Sequence, residues 1–98
     1  MGDTAPCTRA GHSAVVYGDS MIVFGGKNEY NTKLNDIWVF NFSNYLWEQI
    51  IIRNSAISRS GHSAQLFKDY MVVFGGIHDV TQELDDLMIL DLKQWNWI

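Results

Sequence analysis

Gly11-His12-Ser13-Ala14, followed by Met21-Ile22-Val23-Phe24-Gly25-Gly26, returns fifty positions later as Gly61-His62-Ser63-Ala64, followed by Met71-Val72-Val73-Phe74-Gly75-Gly76. Self-similarity at a fixed period of this size marks a repeat architecture, in which one supersecondary unit is copied along the chain. The echo runs on without a gap: Arg9 falls on Arg59, Asp19 on Asp69, Leu34 on Leu84, Asp36 on Asp86 and Trp47 on Trp97. Similar residues fill the intervals, as in Tyr17 and Phe67, Ile37 and Leu87, or Phe40 and Leu90.

Each copy reads as four short strands separated by turn signals, and no segment of useful length has helical periodicity, so an all-β chain is expected. In the first copy strand A covers His12–Tyr17, strand B Ser20–Gly25, strand C Asp36–Phe42 and strand D Leu46–Ile51. The second copy repeats this at His62–Phe67, Tyr70–Gly75, Asp86–Leu92 and Trp95–Ile98. Gly18-Asp19 and Lys68-Asp69 take the place of tight hairpin turns between A and B. The middle strands carry continuous apolar runs, such as Met21-Ile22-Val23-Phe24 and Leu87-Met88-Ile89-Leu90. A sheet with one wet face would alternate; continuous runs predict sheets covered on both faces by stacking.

Composition narrows the function classes. An apolar fraction of 47% with four Trp is enough for a core. The net charge is −4, from 11 acidic and 7 scattered basic residues, which argues against a nucleic-acid partner, because phosphate binding needs a clustered basic face. No apolar run approaches a membrane span. Met1-Gly2-Asp3-Thr4 lacks the pattern of a secretory signal, and the single Cys7 has no second thiol for a disulfide or a zinc site. A cytoplasmic location is the expectation.

Arg-x-Gly-His-Ser, an apolar strand ending Phe-Gly-Gly, Leu-x-Asp before an aromatic-rich strand, and then Trp: this combination resembles the kelch repeat, whose period is about 50. The resemblance covers residues 9–50 and 59–98, with 1–8 and 51–58 as inter-blade connectors and the last strand of the second repeat truncated. Ile22 and Val72 stand where kelch repeats often place an aromatic residue in strand B. The resemblance implies two four-stranded antiparallel blades, part of a β-propeller, and a non-enzymatic protein-interaction scaffold with no cofactor. The alternative it leaves open is a kelch-containing metal-dependent enzyme of the oxidase or specifier-protein type. Two blades bury one shared face and leave two apolar faces open, so further blades of a longer parent chain or self-association are expected to cover them.

His12 and His62 occupy equivalent positions, so each is expected to serve a packing or hydrogen-bonding role in its own blade rather than in catalysis. The paired glycines end strand B without a following helix or a Lys-Ser/Thr pair, which makes them a packing device and not a phosphate cradle. Asp36 and Asp86 are expected to cap turns through backbone hydrogen bonds. No nucleophile–base arrangement or metal-ligand set stands out, so no catalytic, cofactor-binding or metal residue is assigned. Recognition is instead expected in the B–C loops, where the echo fails and where a rigid β scaffold carries its variable residues. The candidates are Lys27, Asn28, Glu29, Tyr30, Asn31 and Lys33 in the first loop, and His78, Asp79, Gln82 and Glu83 in the second. In kelch propellers these loops share one face with the D–A connectors and commonly bind protein partners. Tyr30, flanked by Lys27 and Lys33, is the expected anchor.

Overall fold

The computed structural model describes residues 4–98, so the Met1–Asp3 part of the expected first connector lies outside the described residues. Two four-stranded antiparallel sheets follow each other as simple meanders. The first contains β1 (Ser13–Tyr17), β2 (Ser20–Lys27), β3 (Lys33–Asn41) and β4 (Leu46–Ile50). The second contains β5 (Ser63–Phe67), β6 (Tyr70–Asp79), β7 (Gln82–Asp91) and β8 (Asn96–Trp97). The all-β, two-blade architecture read from the repeat is therefore present.

The central hairpins are longer than expected. β3 begins at Lys33 rather than Asp36, which leaves a loop of 28–32 in blade one. In blade two β6 and β7 are separated by Val80-Thr81 alone, so His78, Asp79, Gln82 and Glu83 are strand residues at a hairpin tip and not loop residues. The cause is local: Asp79 Oδ1 accepts from the Thr81 amide at 2.8 Å and from its hydroxyl at 2.9 Å, which closes a tight turn. In blade one Asn28 Oδ1 instead accepts from both the Tyr30 and Thr32 amides, which holds a wider loop. At the C-terminal side β8 is shorter than the expected Trp95–Ile98, because Trp95 takes φ 56° in the preceding turn, as Tyr45 does at 59° in blade one.

Each β2-type strand slips register between Phe and the second Gly, with Gly25 and Gly75 at φ 70° and 71°. This is a β-bulge built on a left-handed residue. A residue from the start of each repeat pairs beside it, Ala10 with Lys27 and Ser60 with Ile77.

The core lies between the sheets. Val15, Ile22, Phe24 and Ile37 of blade one meet Met71, Val73, Leu90 and Trp97 of blade two. Strand alternation makes this contact asymmetric: blade one offers the side carrying Ser13, Val15, Phe24 and Ile37, and blade two offers its other side. The equivalent side of blade two is consequently uncovered. Phe24 is 0% exposed and its counterpart Phe74 is 52% exposed, and Leu87 is open where Ile37 is buried. The outer side of blade one is partly covered by its own aromatic residues, with Trp38 edge-on to Trp47 at 6.5 Å and Phe40 against Trp47 at 4.9 Å. The expectation of open apolar faces thus holds fully for blade two and in part for blade one.

Candidate functional site

The repeated polar residues are taken up by structure. Arg9 reaches Asp36 with two nitrogens, at 2.6 and 2.9 Å, and donates to the Gly25 carbonyl at 3.0 Å. Arg59 repeats the arrangement on Asp86, at 2.7 and 3.0 Å, and on the Gly75 carbonyl at 3.1 Å. These are bidentate, charge-assisted pairs. Asp36 and Asp86 therefore bind the arginine of their own blade and do not cap turns, which corrects the expectation. The Arg59 hydrogen bonds hold the Asp86 carboxyl below its ordinary range. At Asp36 burial opposes ionisation, yet the hydrogen bonds from Arg9 and from the Trp38 indole outweigh it, and its pKa is lowered as well.

The two histidines differ, contrary to the expectation of equal roles within each blade. His62 crosses to blade one, where its Nε2 lies 2.7 Å from Ser13 Oγ and 3.1 Å from the Phe24 carbonyl oxygen. A carbonyl only accepts, so Nε2 carries the proton and Nδ1 is a bare lone pair, buried and without a partner among the described residues. Burial is the main cause that pushes the His62 pKa down to about 4, and the charge of Arg59 and the neighbourhood of His12 add to it. A serine 2.7 Å from a histidine has the outline of a nucleophile–base pair, but this nitrogen is a donor, Nδ1 has no carboxylate to orient it, and Ser13 is buried. The pair fastens two sheets. His12 occupies the equivalent place in blade one and is exposed.

The candidate recognition residues gather at one end of the molecule. The B–C hairpins and the D–A connectors share this end, since Arg59, directly after the second connector, pairs with Leu34, and Asn35 donates to the connector's Ala56 carbonyl at 3.0 Å. In the first hairpin Lys27 and Lys33 are the strand ends, Glu29 and Asn31 are exposed, and Asn28 is half-buried as the organiser of the loop. Tyr30 is 80% exposed. In the second hairpin Asp79, Gln82 and Glu83 are exposed. His78 is half-buried, with Nδ1 donating to the Ser58 carbonyl at 2.9 Å. His78 and Asp79 thus serve separate partners, and among the described residues no group of three or more His, Cys, Asp or Glu lies close enough to hold a metal.

Two contributors escaped the sequence reading. Val80, at 94% exposure, stands at the tip of the second hairpin as Tyr30 stands in the first, and the fifty-residue offset links the two positions. Ser58 fixes His78, and its counterpart Thr8 carries a hydroxyl at the same distance before the repeated arginine. Each was visible as a conserved property between the copies rather than a conserved residue.

Comparison with known proteins agrees with this geometry. The KLHDC2/KLHL20/DRC7 Kelch-repeats domain matches residues 1–98. A segment of 39 residues, 40% of the chain, is 46% identical to the Rho GTPase-activating protein gacHH of Dictyostelium discoideum. A segment of 46 residues, 47% of the chain, is 39% identical to the tRNA wybutosine-synthesizing protein 2/3/4 of Oryza sativa subsp. japonica. A third, of 57 residues and 52% of the chain, is 33% identical to the dynein alpha chain of the flagellar outer arm of Chlamydomonas reinhardtii. The matches cover only 3%, 4% and 1% of those proteins, and the three names describe unrelated activities, so what is shared is the blade and not a chemistry. With its spaced Arg-x-Gly-His-Ser and Phe-Gly-Gly elements folded into two stacked four-stranded sheets, the chain belongs to the kelch-repeat family.

Proposed function

We propose that the chain is a non-enzymatic part of a propeller-type scaffold that binds a protein through the rim formed by its two B–C hairpins. One observation carries this reading: the hairpin tips diverge in sequence, share one end, and each presents a large exposed apolar residue, Tyr30 and Val80. Aromatic residues ringed by polar ones are the usual anchors of protein interfaces. Lys27, Asn28, Glu29, Asn31 and Lys33 form a mixed, partly basic surround for Tyr30, while Asp79, Gln82 and Glu83 beside His78 make the second tip acidic. A partner with an apolar cleft between regions of opposite charge fits such a rim. The family's general use as an interaction platform and the absorption of Arg9, Arg59, Asp36, Asp86 and His62 into structure support the same view. We place this activity in the cytoplasm, in keeping with the lone cysteine, and infer that the apolar blade faces are covered by further blades or by self-association.

A photo-crosslinking residue placed at position 30 or 80, compared with one at Ser43 in the turn at the other end of the sheet, tests the rim. Discrete protein adducts from 30 and 80 and none from 43 are expected. Equal labelling from all three positions would remove the rim as the recognition surface. A stoichiometric transition metal retained by the purified protein would favour the enzymatic alternative instead.

A further inference from the structure

The junction between the blades is a template whose two halves recur, unpaired, on the outside of the molecule. At the junction the Arg59 amide donates to the Leu34 carbonyl at 3.0 Å, the Gly26 amide to the Arg59 carbonyl at 2.8 Å, and the Gly61 amide to the Gly11 carbonyl at 2.8 Å. His62 then lies over Phe24, with ring centroids 5.1 Å apart, and bonds to Ser13 and the Phe24 carbonyl. A Cβ on Gly25 would come within 2.9 Å of His62 Cε1 and 3.0 Å of the Arg59 carbonyl, so this glycine is the floor on which the junction sits.

In blade two the same floor is bare. Among the described residues a Cβ on Gly75 would meet the Leu84 carbonyl alone, at 3.3 Å, with no imidazole or backbone of a neighbouring blade near it. Above it is an open hollow of about 500 Å³, bordered by Gly61, Ser63, Phe74, Gly75 and Leu84, the counterparts of the residues that receive Arg59 and His62 in blade one. Among the described residues no bridge pairs with Leu84 as Arg59 pairs with Leu34. The complementary half is on blade one, where His12 and Ala14 are exposed while their counterparts His62 and Ala64 are packed into the junction.

We propose that the free face of blade two is a socket for the His12-bearing face of a second copy of this chain, so that copies join head to tail. This rests on the reading that the open blade faces are covered by self-association, and it specifies the contact. The second copy's Arg9 amide would donate to the Leu84 carbonyl, its Arg9 carbonyl would accept from the Gly76 amide, and its His12 would reach Ser63 and the Phe74 carbonyl. The occupant is argued from continuity with the existing interface: the chain carries both surfaces, in the orientation in which they already fit each other. The contact is heterologous, so it propagates until rotation closes a ring. It is also weaker than the junction inside the chain. Gln65 replaces the buried Val15, and Phe67 replaces Tyr17, whose hydroxyl bonds across the junction to Asp69 at 2.8 Å.

Sedimentation of the chain over a wide concentration range, with Phe74→Glu and Ala14→Glu, tests the joint. Both positions are exposed within one chain, so both variants keep their far-ultraviolet spectrum and melting transition. Wild type should form a concentration-dependent series beyond the dimer, and each variant alone should remain a monomer. An equimolar mixture of the two should give a dimer and nothing larger, since each retains one sound face. His12→Ala, which leaves the surrounding face intact, should weaken association roughly tenfold, about the worth of one buried hydrogen-bonded group. Association that survives both glutamates, or a mixture that stays monomeric, overturns the head-to-tail joint while leaving self-association standing. A wild-type monomer at every concentration overturns both.

Discussion

The Tyr17 hydroxyl donates a 2.8 Å hydrogen bond to Asp69 Oδ1, joining the first hairpin of one blade to the first hairpin of the next. The bond raises the pKa of the phenol, since the hydroxyl must keep its proton to donate it, and the charge of the carboxylate adds to the effect. Tyr17→Phe should lower the melting temperature slightly, and Asp69→Asn should do the same. In a double-mutant cycle the two losses should overlap rather than add. Fully additive losses would show that the bond contributes nothing to the junction.

His62 sets an acid limit on stability. Its folded pKa of about 4 lies below the unfolded value of 6.5, so the unfolded chain takes up a proton first as pH falls. Stability is full above pH 6.5 and declines between there and about 4, with a slope of at most about 1.4 kcal/mol per pH unit. Asp36 and Asp86, whose pKa values are lowered, add a separate loss that begins only near and below their ordinary 3.8. Urea titrations from pH 7.5 to 4.5 should show the histidine-dependent decline, and His62→Gln, less stable at neutral pH, should flatten it.

Arg59 is fully buried, while its partner Asp86 is partly open to water. Arg59→Met should cost about 2–3 kcal/mol, less than a wholly buried pair would, because solvent screens the abandoned carboxylate. Arg59→Lys should recover only part of this, since one ammonium cannot match a planar fork that holds both Asp86 oxygens and the Gly75 carbonyl. Adding Asp86→Ala to Arg59→Met should cost less than the sum of the single changes. Denaturant unfolding of wild type, the three single variants and the double variant supplies the comparison.

Gly25 and Gly75 share a left-handed φ, so alanine strains both positions by about 1 kcal/mol. Only at Gly25 does the new methyl also strike the His62 ring and the Arg59 carbonyl. Gly25→Ala should therefore destabilise the chain more than Gly75→Ala, as read by melting temperature at low protein concentration. Equal losses would mean that the junction can give way without cost.

Much of the architecture was legible because a fifty-residue echo reports each strand twice, and a residue kept at both positions is kept for the blade. The Arg9–Asp36 and Arg59–Asp86 pairs belong to this class, with the same separation of 27 in both copies. The length of the second hairpin was not legible, because it depends on whether one side chain, Asp79 or Asn28, closes a narrow or a wide turn. The role of His62 was hidden for another reason. Its partners Ser13 and Phe24 lie 49 and 38 residues upstream, and only the stacking of one sheet on another brings them together. His12 and His62 thus have one sequence context and two fates, because His62 faces another sheet and His12 is exposed.

The meander order of both sheets has a kinetic meaning. Every strand pairs with the strand before or after it in the chain, so each blade can form from short loop closures, the kind of topology that folds fast. The long-range dependence falls on the junction, where the core between the sheets, the His62–Ser13 contact and the clip of Arg59–Gly61 on Leu34 and Gly11 all join the two blades. Blade one thus supplies the surface on which blade two condenses, and the core side of each is completed only when the two dock. In such a one-dimensional chain of units stability is the sum of the blade terms and the junction between them, so a fault in either blade also weakens the face it shares with its neighbour.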